Sequence, residues 1–469
     1  MDASYHGDLL LFDRNYLSFS LNLMRTPLLW VVMTCALTGC ATPAAPALPS
    51  TSVIELGPAW PEALPEAVAA EVDRAAKQHP VLALGEGDHF VAEKYEYRLA
   101  FLRRLIQRNG VRHIALEMGA SDAARIDRYL KTGDERWLHR VVLYGYAGED
   151  DDERRELAPI ARGDRRPPDD AWAEAERSFF RRLRALGQEQ GTRIHVFGFD
   201  FDAAPGGGYA DARRALESCA DTPSVQALRP RLTPPRNTSP SAEVTRLEKL
   251  IVSLDTERTS LDADCGAAQV DAARAALDQL AFSYRTFFEW HAAQADTSAQ
   301  GPLRLRRMFD ERESQMYLRY TRWTQALPAG ARVVLLGHDM HVARDSEVLR
   351  YGRAPHDLPM WRSLGTRIEE ARPGGLWVCW LLYGDGTRYT PTSPTGHSVV
   401  SLRPDSLEAT LARTPGRHLV LMERVPAGTV VDQASAFGTE TSEGSGPVRT
   451  VTDAIVFLPE AHAPTPSTH

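Results

Sequence analysis

Short apolar runs alternate with amphipathic helical patterns along most of this chain. Apolar runs at residues 81–84 and 113–116 are each followed by a helical pattern, at 91–107 and 121–131. Continuous apolar runs indicate strands buried on both faces, and strands separated by helices build a mainly parallel sheet with right-handed crossovers. Further strand-like runs lie at 193–199, 332–336, 376–383, 418–422 and 454–458, and further helical patterns at 172–186 and 303–327. The sequence therefore predicts an α/β fold with a mainly parallel sheet flanked by helices.

The composition is that of an ordinary globular protein. Of 469 residues, 43% are hydrophobic and 25% are charged, which is enough to bury a substantial core. The net charge of -8 provides no general phosphate-binding surface, so we expect no nucleic-acid partner. The run of acids and arginines at 148–156 is predicted to be a solvated loop or helix end.

The N-terminal region has the pattern of an export signal. Met24 and an arginine precede an apolar stretch at 28–37, and Leu-Thr-Gly-Cys follows, ending at Cys40. An apolar run of about ten residues is too short to span a bilayer of ~30 Å and resembles the core of a bacterial lipoprotein signal. The resemblance implies that residues 1–40 form the signal region, that translation starts at Met24, and that Cys40 carries the lipid. An uncleaved buried helix is the alternative.

This interpretation places the protein in the cell envelope. Residues 41–52 are rich in Pro and Ala and are predicted to form a tether to the membrane. Because Ala41 is not acidic, we expect the lipid anchor to lie in the periplasmic face of the outer membrane. The folded domain is expected at 53–460, and 461–469 is predicted to be a disordered tail.

A polar insertion at 218–300 interrupts the strand and helix pattern. Two apolar stripes with helical spacing, at 244–261 and 270–291, predict an antiparallel helical hairpin on the sheet core. Its aromatic end, at 284–290, belongs either to the core or to a binding cleft.

Three cysteines remain after the signal region. In an oxidising compartment Cys219 and Cys265, which flank the insertion, could pair in a disulfide. Cys379 lies in an apolar run and is predicted to be a buried free thiol.

Ionisable residues follow several predicted strands directly. Ligands of open parallel sheets bind beyond the carboxyl ends of the strands, where the loops converge. A single such end is equally well a solvated loop or a helix cap, but four together predict a site. The residues concerned are Glu86, Asp88 and His89 after the first run, Glu117 after the second, Asp200 and Asp202 after the third, and His338, Asp339 and His341 after the fourth.

Arg98 lies on the apolar stripe of the helix that follows the first strand. A desolvated guanidinium requires an anionic partner, and the adjacent strand ends offer Glu86 or Glu117. The alternative is that the side chain of Arg98 extends along the helix to solvent.

Two segments carry a resemblance to a known family. LALGEGDHFVAEKYEYRLAFLRRLIQRNGVRHIALEMG resembles the opening region of the erythromycin esterase family, with its Gly-Glu-x-x-His turn, its downstream Arg and its Ala-Leu-Glu strand end. VVLLGHDMHVAR resembles the later Ala-His-Asn-x-His-Val segment of that family. The resemblance extends over nearly the whole body from about Val53. By position, the active-site residues of the family fall on Glu86, His89, Arg98, Glu117, His338 and His341.

The resemblance implies a metal-independent hydrolysis of an ester or lactone. His89 would take a proton from water as the general base, with Glu86 or Glu117 fixing its tautomer. His338 and His341 would position water or stabilise the developing oxyanion, and Arg98 would hold the carboxylates in place. No cofactor is expected.

The chain also departs from the family pattern. Gly87 and Asp88 replace the usual Ala-Thr, Phe90 replaces a Gly, and Gly337 and Asp339 flank His338. We expect Asp88, Phe90, Asp200 and Asp339 to contact the substrate or support the catalytic residues. The two acids that the family pattern lacks, Asp88 and Asp339, are expected to raise imidazole pKa values or to recruit a cation. These departures lead to the hypothesis that the substrate is not a macrolide.

Two other functions use the same residues. The histidines and carboxylates could instead ligate a divalent metal that activates water, although Arg98 weighs against this. A lipoprotein that binds haem or another small molecule without catalysis is the second alternative. Nucleophilic serine chemistry has little support, since the chain contains no G-x-S-x-G motif.

Overall fold

The computed structural model describes residues 48–57, 63–139, 141–142, 145–146, 171–202, 207–234, 239–298, 300–352, 357–390, 397–429, 431–438 and 443–464. The strands are β1 (Val53–Glu55), β2 (Val81–Glu86), β3 (His113–Gly119), β4 (Val141–Val142), β5 (Gly145–Tyr146), β6 (His195–Asp200), β7 (Val333–His338), β8 (Arg350–Tyr351), β9 (Leu358–Pro359), β10 (Leu376–Tyr389), β11 (His397–Val400), β12 (His418–Leu421), β13 (Gln433–Phe437), β14 (Gly444–Pro447) and β15 (Ala454–Ala461). The expected signal region, Cys40 and the charged run at 148–156 lie outside the described residues.

The main sheet has nine strands within the described residues. Its order is β1-β12-β15-β10-β2-β7-β3-β6, and β11 pairs with the far end of β10. The six strands from β15 to β6 run parallel to one another, whereas β12, β1 and β11 join antiparallel. The predicted mainly parallel α/β sheet is confirmed. Smaller sheets are formed by β13-β14-β8-β9 and by β4-β5.

Helices cover both faces of the sheet. They are α1 (Glu66–Gln78), α2 (Glu93–Asn109), α3 (Ala120–Thr132), α4 (Arg136–His139), α5 (Ala171–Glu189), α6 (Gly207–Ala215), α7 (Pro223–Leu228), α8 (Pro240–Thr256), α9 (Arg258–Cys265), α10 (Ala267–Ala295), α11 (Gly301–Gln325), α12 (Asp339–Val342), α13 (Leu364–Ala371), α14 (Leu407–Leu411) and α15 (Val448–Val451). Helix α2 is capped at its C-terminus by Gly110, whose φ of 70° is a left-handed conformation that glycine adopts without steric cost.

The side chains of β2 point alternately into two layers of the core, one on each face of the sheet. Leu82 and Leu84 pack with α1, α2 and α5, whereas Val81 and Ala83 pack on the opposite face with α11 and α13. Alternate residues of a strand point to opposite faces, so a continuous apolar run fills both layers. This explains why the predicted strands lack polar alternation.

The helical insertion has a core of its own. This core begins at Tyr209 in α6, before the predicted start of the insertion, and includes residues of α7, α8, α9 and α10. The stripe predicted as one helix at 244–261 is two helices, because the backbone leaves the helical region at Glu257 (φ -91°, ψ 10°). Leu261 nevertheless stays buried, so the predicted apolar stripe continues across the break between the two helices.

A disulfide joins Cys219 to Cys265 across 46 residues, the pairing that the sequence left open. Cys379 is a buried free thiol, as predicted. The disulfide fixes the end of α9 to the segment that follows α6. No helix among the described residues combines the length and apolar character needed to cross a membrane.

Candidate active site

Glu86 and His89 form the centre of a polar cluster at the carboxyl end of β2. Nδ1 of His89 lies 3.1 Å from Oε1 of Glu86, and Arg98 of α2 donates from Nη2 to Oε2 of the same carboxylate. Glu86 and Arg98 are buried, and 23% of the His89 side chain is exposed. Burial acts to raise the pKa of Glu86, but Arg98 and His89 outweigh it and lower the pKa, so the carboxylate is ionised. The predicted pairing of Arg98 is thus with Glu86.

Glu117 reaches the cluster from a β-bulge. In the β3–β6 pair, Leu116 lies opposite Gly198 and Gly119 opposite Asp200, so β3 holds one extra residue at this point. A bulge changes the direction of side chains and is common beside active sites. Oε1 of Glu117 lies 3.7 Å from Nε2 of His89, and Oε2 accepts from the backbone N–H of His338.

Gly337 leaves the space that Glu117 occupies. A Cβ atom at Gly337 would lie 3.1 Å from Oε2 of Glu117, which is closer than an ordinary van der Waals contact. The absence of a side chain at Gly337 therefore lets the carboxylate of Glu117 lie directly against β7.

His341 lies between two carboxylates. Its Nε2 is 3.1 Å from Oε1 of Glu117, and its Nδ1 contacts Oε1 of Glu313 from α11. Glu313 is fully buried and also accepts from Nε1 of Trp361 at 3.0 Å and from the backbone N–H of Leu364 at 2.7 Å. Burial opposes the charged form of His341, but Glu313 and Glu117 raise its pKa to about 10. His341 is therefore an imidazolium at neutral pH.

His338 is the last residue of β7 and lies beside Glu86, the last residue of β2. The two residues are in register in the β2–β7 pair, and the His338 ring packs edge-on against the His89 ring with centroids 4.9 Å apart. Nδ1 of His338 lies 2.8 Å from Oδ1 of Asp339. Burial acts to lower the pKa of His338, but Asp339 and Glu117 outweigh it and the pKa is raised.

Arg312 of α11 links two strand ends. Its Nε donates to Oδ1 of Asp200 at 2.9 Å, and its Nη2 lies 3.4 Å from Oε1 of Glu117. Phe201 lies under the guanidinium, 4.8 Å from ring centroid to Cζ. The expectation that Arg98 holds both carboxylates is wrong for Glu117, because Arg312, from a different helix, is the arginine within reach of it.

The pKa values of the three histidines are shifted in different directions. Burial lowers the pKa of His89, and the neighbouring Glu117 and Glu86 compensate only in part. His338 and His341, each beside a carboxylate, have raised pKa values. Groups of one type whose environments separate their pKa values have different roles in acid–base chemistry. His89 is thus the histidine of the three whose lowered pKa favours the neutral imidazole at neutral pH.

Asp88 contacts the far end of β10. It accepts from the hydroxyl of Tyr383 at 2.8 Å and from the backbone N–H of Phe90 at 2.9 Å, and Nε of Arg388 lies 3.1 Å from it. Arg388 also lies 4.8 Å above the ring of Phe90. Of the two expected effects, pairing with a cation is the one that these contacts show, since Arg388 from the far end of β10 lies beside Asp88.

The insertion contributes core residues near the site rather than a lining of exposed aromatic rings. Tyr284 and Phe287 are buried, and the ring of Phe287 packs edge-on against Phe201 at 5.2 Å. Phe288 is the exposed member, at 39%. The nearby acid Asp202 is buried against α10, where its backbone N–H donates to Oγ of Ser283 at 2.9 Å.

Sequence reasoning missed Arg312, Glu313 and Lys94. Arg312 and Glu313 fall on the buried stripe of α11 between Phe309 and Met316, the signal that identified Arg98 on α2. Lys94 is buried on α2, and burial lowers its pKa to about 8 despite the attraction of Glu86. A search for charges on apolar stripes would have found all three.

The donor set fits the divalent metal of the alternative function poorly. Glu117 is engaged by Arg312, His341 and an N–H group, and Glu86 by Arg98 and His89. A divalent metal would compete with these cations for the same oxygens and would need neutral imidazoles. Among the described residues, no group of three or more His, Cys, Asp or Glu side chains has the geometry of a metal site.

The fold resembles several solved structures. A mutant of an erythromycin esterase in its open conformation matches with a TM-score of 0.59 at 17% identity, covering 86% of this chain and 96% of that one. A protein from Bacillus cereus matches with a TM-score of 0.60 at 12% identity, covering 89% and 97%. A succinoglycan biosynthesis protein matches with a TM-score of 0.58 at 10% identity, covering 88% and 95%. At these identities the likeness shows a common fold.

The sequence itself matches a family profile. The profile described as Erythromycin esterase covers residues 106–460, which include Glu117, Arg312, His338 and His341. Glu86, His89 and Arg98 precede the matched range, and the structure brings them against it. No curated protein matches the chain. The profile match over most of the chain and the common fold support a hydrolase of this type, and the chain belongs to the erythromycin esterase family.

Proposed function

We propose that this protein hydrolyses a carboxylic ester or lactone by general-base activation of water, with His89 as the base. The observation that carries the proposal is the arrangement of His89 between two ionised carboxylates. Glu86 accepts from Nδ1 at 3.1 Å, which leaves the lone pair on Nε2. His89 is also the most exposed of the clustered side chains, at 23%, so a substrate reaches this imidazole first.

Glu117 and His89 together suit one water molecule. Nε2 of His89 and Oε1 of Glu117 lie 3.7 Å apart, and both are acceptors. A water that donates one hydrogen to each keeps a lone pair directed away from both, toward an incoming carbonyl carbon. Transfer of a proton to Nε2 as the C–O bond forms gives the tetrahedral intermediate, the usual role of a general base. Collapse of the intermediate then breaks the bond to the alkoxide, which takes this proton from Nε2 and leaves as the alcohol.

The charged residues of the site have supporting roles. His338 donates from Nε2 to the oxyanion, since the negative charge that develops there favours a donor already in position. Arg312 and His341 hold Glu117, and Arg98 holds Glu86. No cofactor enters this mechanism.

We propose a small-molecule ester or lactone as the substrate and no nucleic-acid partner. The family name points to macrolactones, but Phe90 lies beside His89, with ring centroids 6.3 Å apart, where the family pattern has a glycine. A fixed ring at this position favours a smaller group than a macrolide next to the reacting carbonyl.

We further propose that the protein is lipid-anchored at Cys40 and faces the periplasm from the outer membrane. The short apolar stretch before Cys40 and the tether at 41–52 support this. The disulfide between Cys219 and Cys265 supports it independently, because disulfides persist in oxidising compartments.

The experiment is a screen of the protein from Ala41 onward against esters, macrolactones and thioesters. We expect turnover of at least one ester or lactone, and its loss in His89→Ala with an unchanged circular dichroism spectrum. His79→Ala is the matched control, since His79 precedes the opposite end of β2. Unchanged rates in His89→Ala would refute the proposal. A Soret band after haem titration would favour the binding-protein alternative.

A further inference from the structure

Asp339 is a fully buried carboxylate whose close charged contact is a histidine. It is 0% exposed, and neither oxygen accepts a hydrogen bond that meets ordinary geometric criteria within the described part of the chain. Nδ1 of His338 lies 2.8 Å from its Oδ1. A buried ionised carboxylate is costly unless a cation or a proton neutralises it. His338 is therefore the neighbouring group that can neutralise this carboxylate.

The proton of this pair determines what His338 offers on its other side. If Nδ1 carries a proton, the ring is either the imidazolium, which has a second hydrogen on Nε2, or the neutral tautomer, which has a lone pair on Nε2. If the proton is on Asp339, Nδ1 accepts and the neutral ring carries its hydrogen on Nε2. The backbone N–H of Met340 donates to Nδ1 at 3.3 Å, which favours a neutral ring with its hydrogen on Nε2. Nε2 is thus a donor in the imidazolium and in the neutral ring that accepts at Nδ1, but not in the neutral ring protonated at Nδ1, and the imidazolium is the stronger donor.

Nε2 of His338 is available for a reacting group. It is buried and has no hydrogen-bond partner among the described residues, and its ring packs against that of His89. The charged groups that face His338 are Glu86 and His89 from β2 and the loop after it, Glu117 from β3 with Arg312 from α11, and Asp339 and His341 from α12. Asp339 contacts the ring nitrogen opposite to Nε2.

We propose that Asp339 is a positioning residue that keeps His338 protonated, so that His338 presents a charged Nε2–H donor to the oxyanion. The assignment of the oxyanion as its partner rests on the proposed hydrolase function, whereas the charge state of His338 does not. The raised pKa of His338 agrees with this role. In the segment that resembles the family's Ala-His-Asn-x-His-Val pattern, Asp339 stands at the position of the asparagine.

The test begins without substrate. Nitrogen-15 NMR of the protein from Ala41 onward, with the His338 signals identified by their loss in His338→Gln, reports protonation of Nδ1 and Nε2 separately. We expect both nitrogens to be protonated at pH 7 and the titration midpoint to fall in Asp339→Asn. Asp345→Asn, an exposed acid six residues along, should leave it unchanged. A neutral His338 at pH 7, or an equal midpoint in Asp339→Asn, overturns the proposal.

Kinetics then test the link to catalysis. Asp339→Asn should lower kcat by roughly 10-fold at pH 8 with little change in KM, because a neutral donor is weaker in the transition state. The ratio of variant to wild-type kcat should rise as the pH falls, since His338 of the variant then protonates. A ratio that does not change with pH contradicts the role of Asp339. Absence of any ester turnover in wild type would refute the hydrolase function and leave the NMR result standing.

Discussion

Nε of Arg312 lies 2.9 Å from Oδ1 of Asp200, which joins helix α11 to the carboxyl end of β6. Both side chains are buried, at 6% and 4% exposure, so neither charge is solvated by bulk water. The same guanidinium reaches Glu117, whose pKa is held well below its ordinary range, against the effect of burial, by His341, His89 and Arg312. Arg312 therefore affects both the stability of the fold and the carboxylate beside the proposed base.

Replacing Arg312 with Met should destabilise the protein and reduce activity. Removing one partner of a buried ion pair leaves an uncompensated charge, at a cost of about 3–5 kcal/mol in the free energy of unfolding. Urea denaturation measures the change. Arg307→Ala is the control, because Arg307 is exposed on the same helix and its loss should cost less than ~0.5 kcal/mol. Equal stability of the two variants would contradict the importance of the Asp200 pair.

Glu313→Gln should remove a pH dependence of stability. The pKa of His341 is about 10 in the folded protein, above the ordinary value of about 6.5, so its contribution is complete below pH ~6.5 and is lost as the pH rises toward 10. The slope from one such group is at most about 1.4 kcal/mol per pH unit. Gln carries no negative charge to stabilise the imidazolium. The free energy of unfolding of the variant should therefore fall less than that of wild type as the pH rises from ~6.5 toward 10.

The measurement is urea denaturation of wild type and Glu313→Gln at several pH values between 6 and 10. Lys94, whose pKa is lowered to about 8, contributes in the opposite direction in both proteins, so the difference between them isolates His341. Parallel stability curves would show that Glu313 does not control the charge of His341.

Phe90→Ala should widen the range of substrates. The ring of Phe90 is fixed between Arg388 and Tyr389 and lies beside His89. Removing it should raise kcat/KM for bulky esters relative to small ones by about 10-fold or more. Phe288→Ala, at an exposed aromatic residue of the insertion, is the control. An unchanged ratio of kcat/KM values would show that Phe90 does not limit the substrate.

Replacing Cys219 and Cys265 with Ser should destabilise the insertion. A cross-link over 46 residues removes chain entropy from the unfolded state equivalent to about 4 kcal/mol. Thermal unfolding of wild type and the double variant measures the loss. Alkylation in denaturant without a reductant should label Cys379 and neither of the other two. Labelling of all three cysteines would refute the disulfide.

Chelation should leave ester hydrolysis unchanged. The carboxylates of Glu86 and Glu117 are already paired with Arg98, Arg312 and His341, so the proposed mechanism needs no metal charge. Activity is measured before and after dialysis against a chelator, with elemental analysis of the same samples. Loss of activity that a divalent metal restores would favour the metal-dependent alternative.

Most strands were predictable because an apolar run is a local pattern. The predicted runs at 81–84 and 332–336 correspond to Val81–Glu86 and Val333–His338. Each strand continues two residues further than predicted, because the polar residue at its end still pairs with the neighbouring strand. Strand β10 continues to Tyr389, where it pairs with β11 and contacts the loop after β2. The apolar pattern cannot show such pairing.

The sequence by itself determined which residue types follow the strands, and it identified Glu86, His89, Glu117, His338 and His341 together with the buried Arg98. Only the tertiary structure decided the strand order β2-β7-β3-β6, which brings these ends together. It also supplied Arg312 and Glu313 from a distant helix and determined which histidine is neutral. The physical reason is that an apolar pattern depends on neighbours in the chain, whereas a pKa depends on burial and on charges that are neighbours in space.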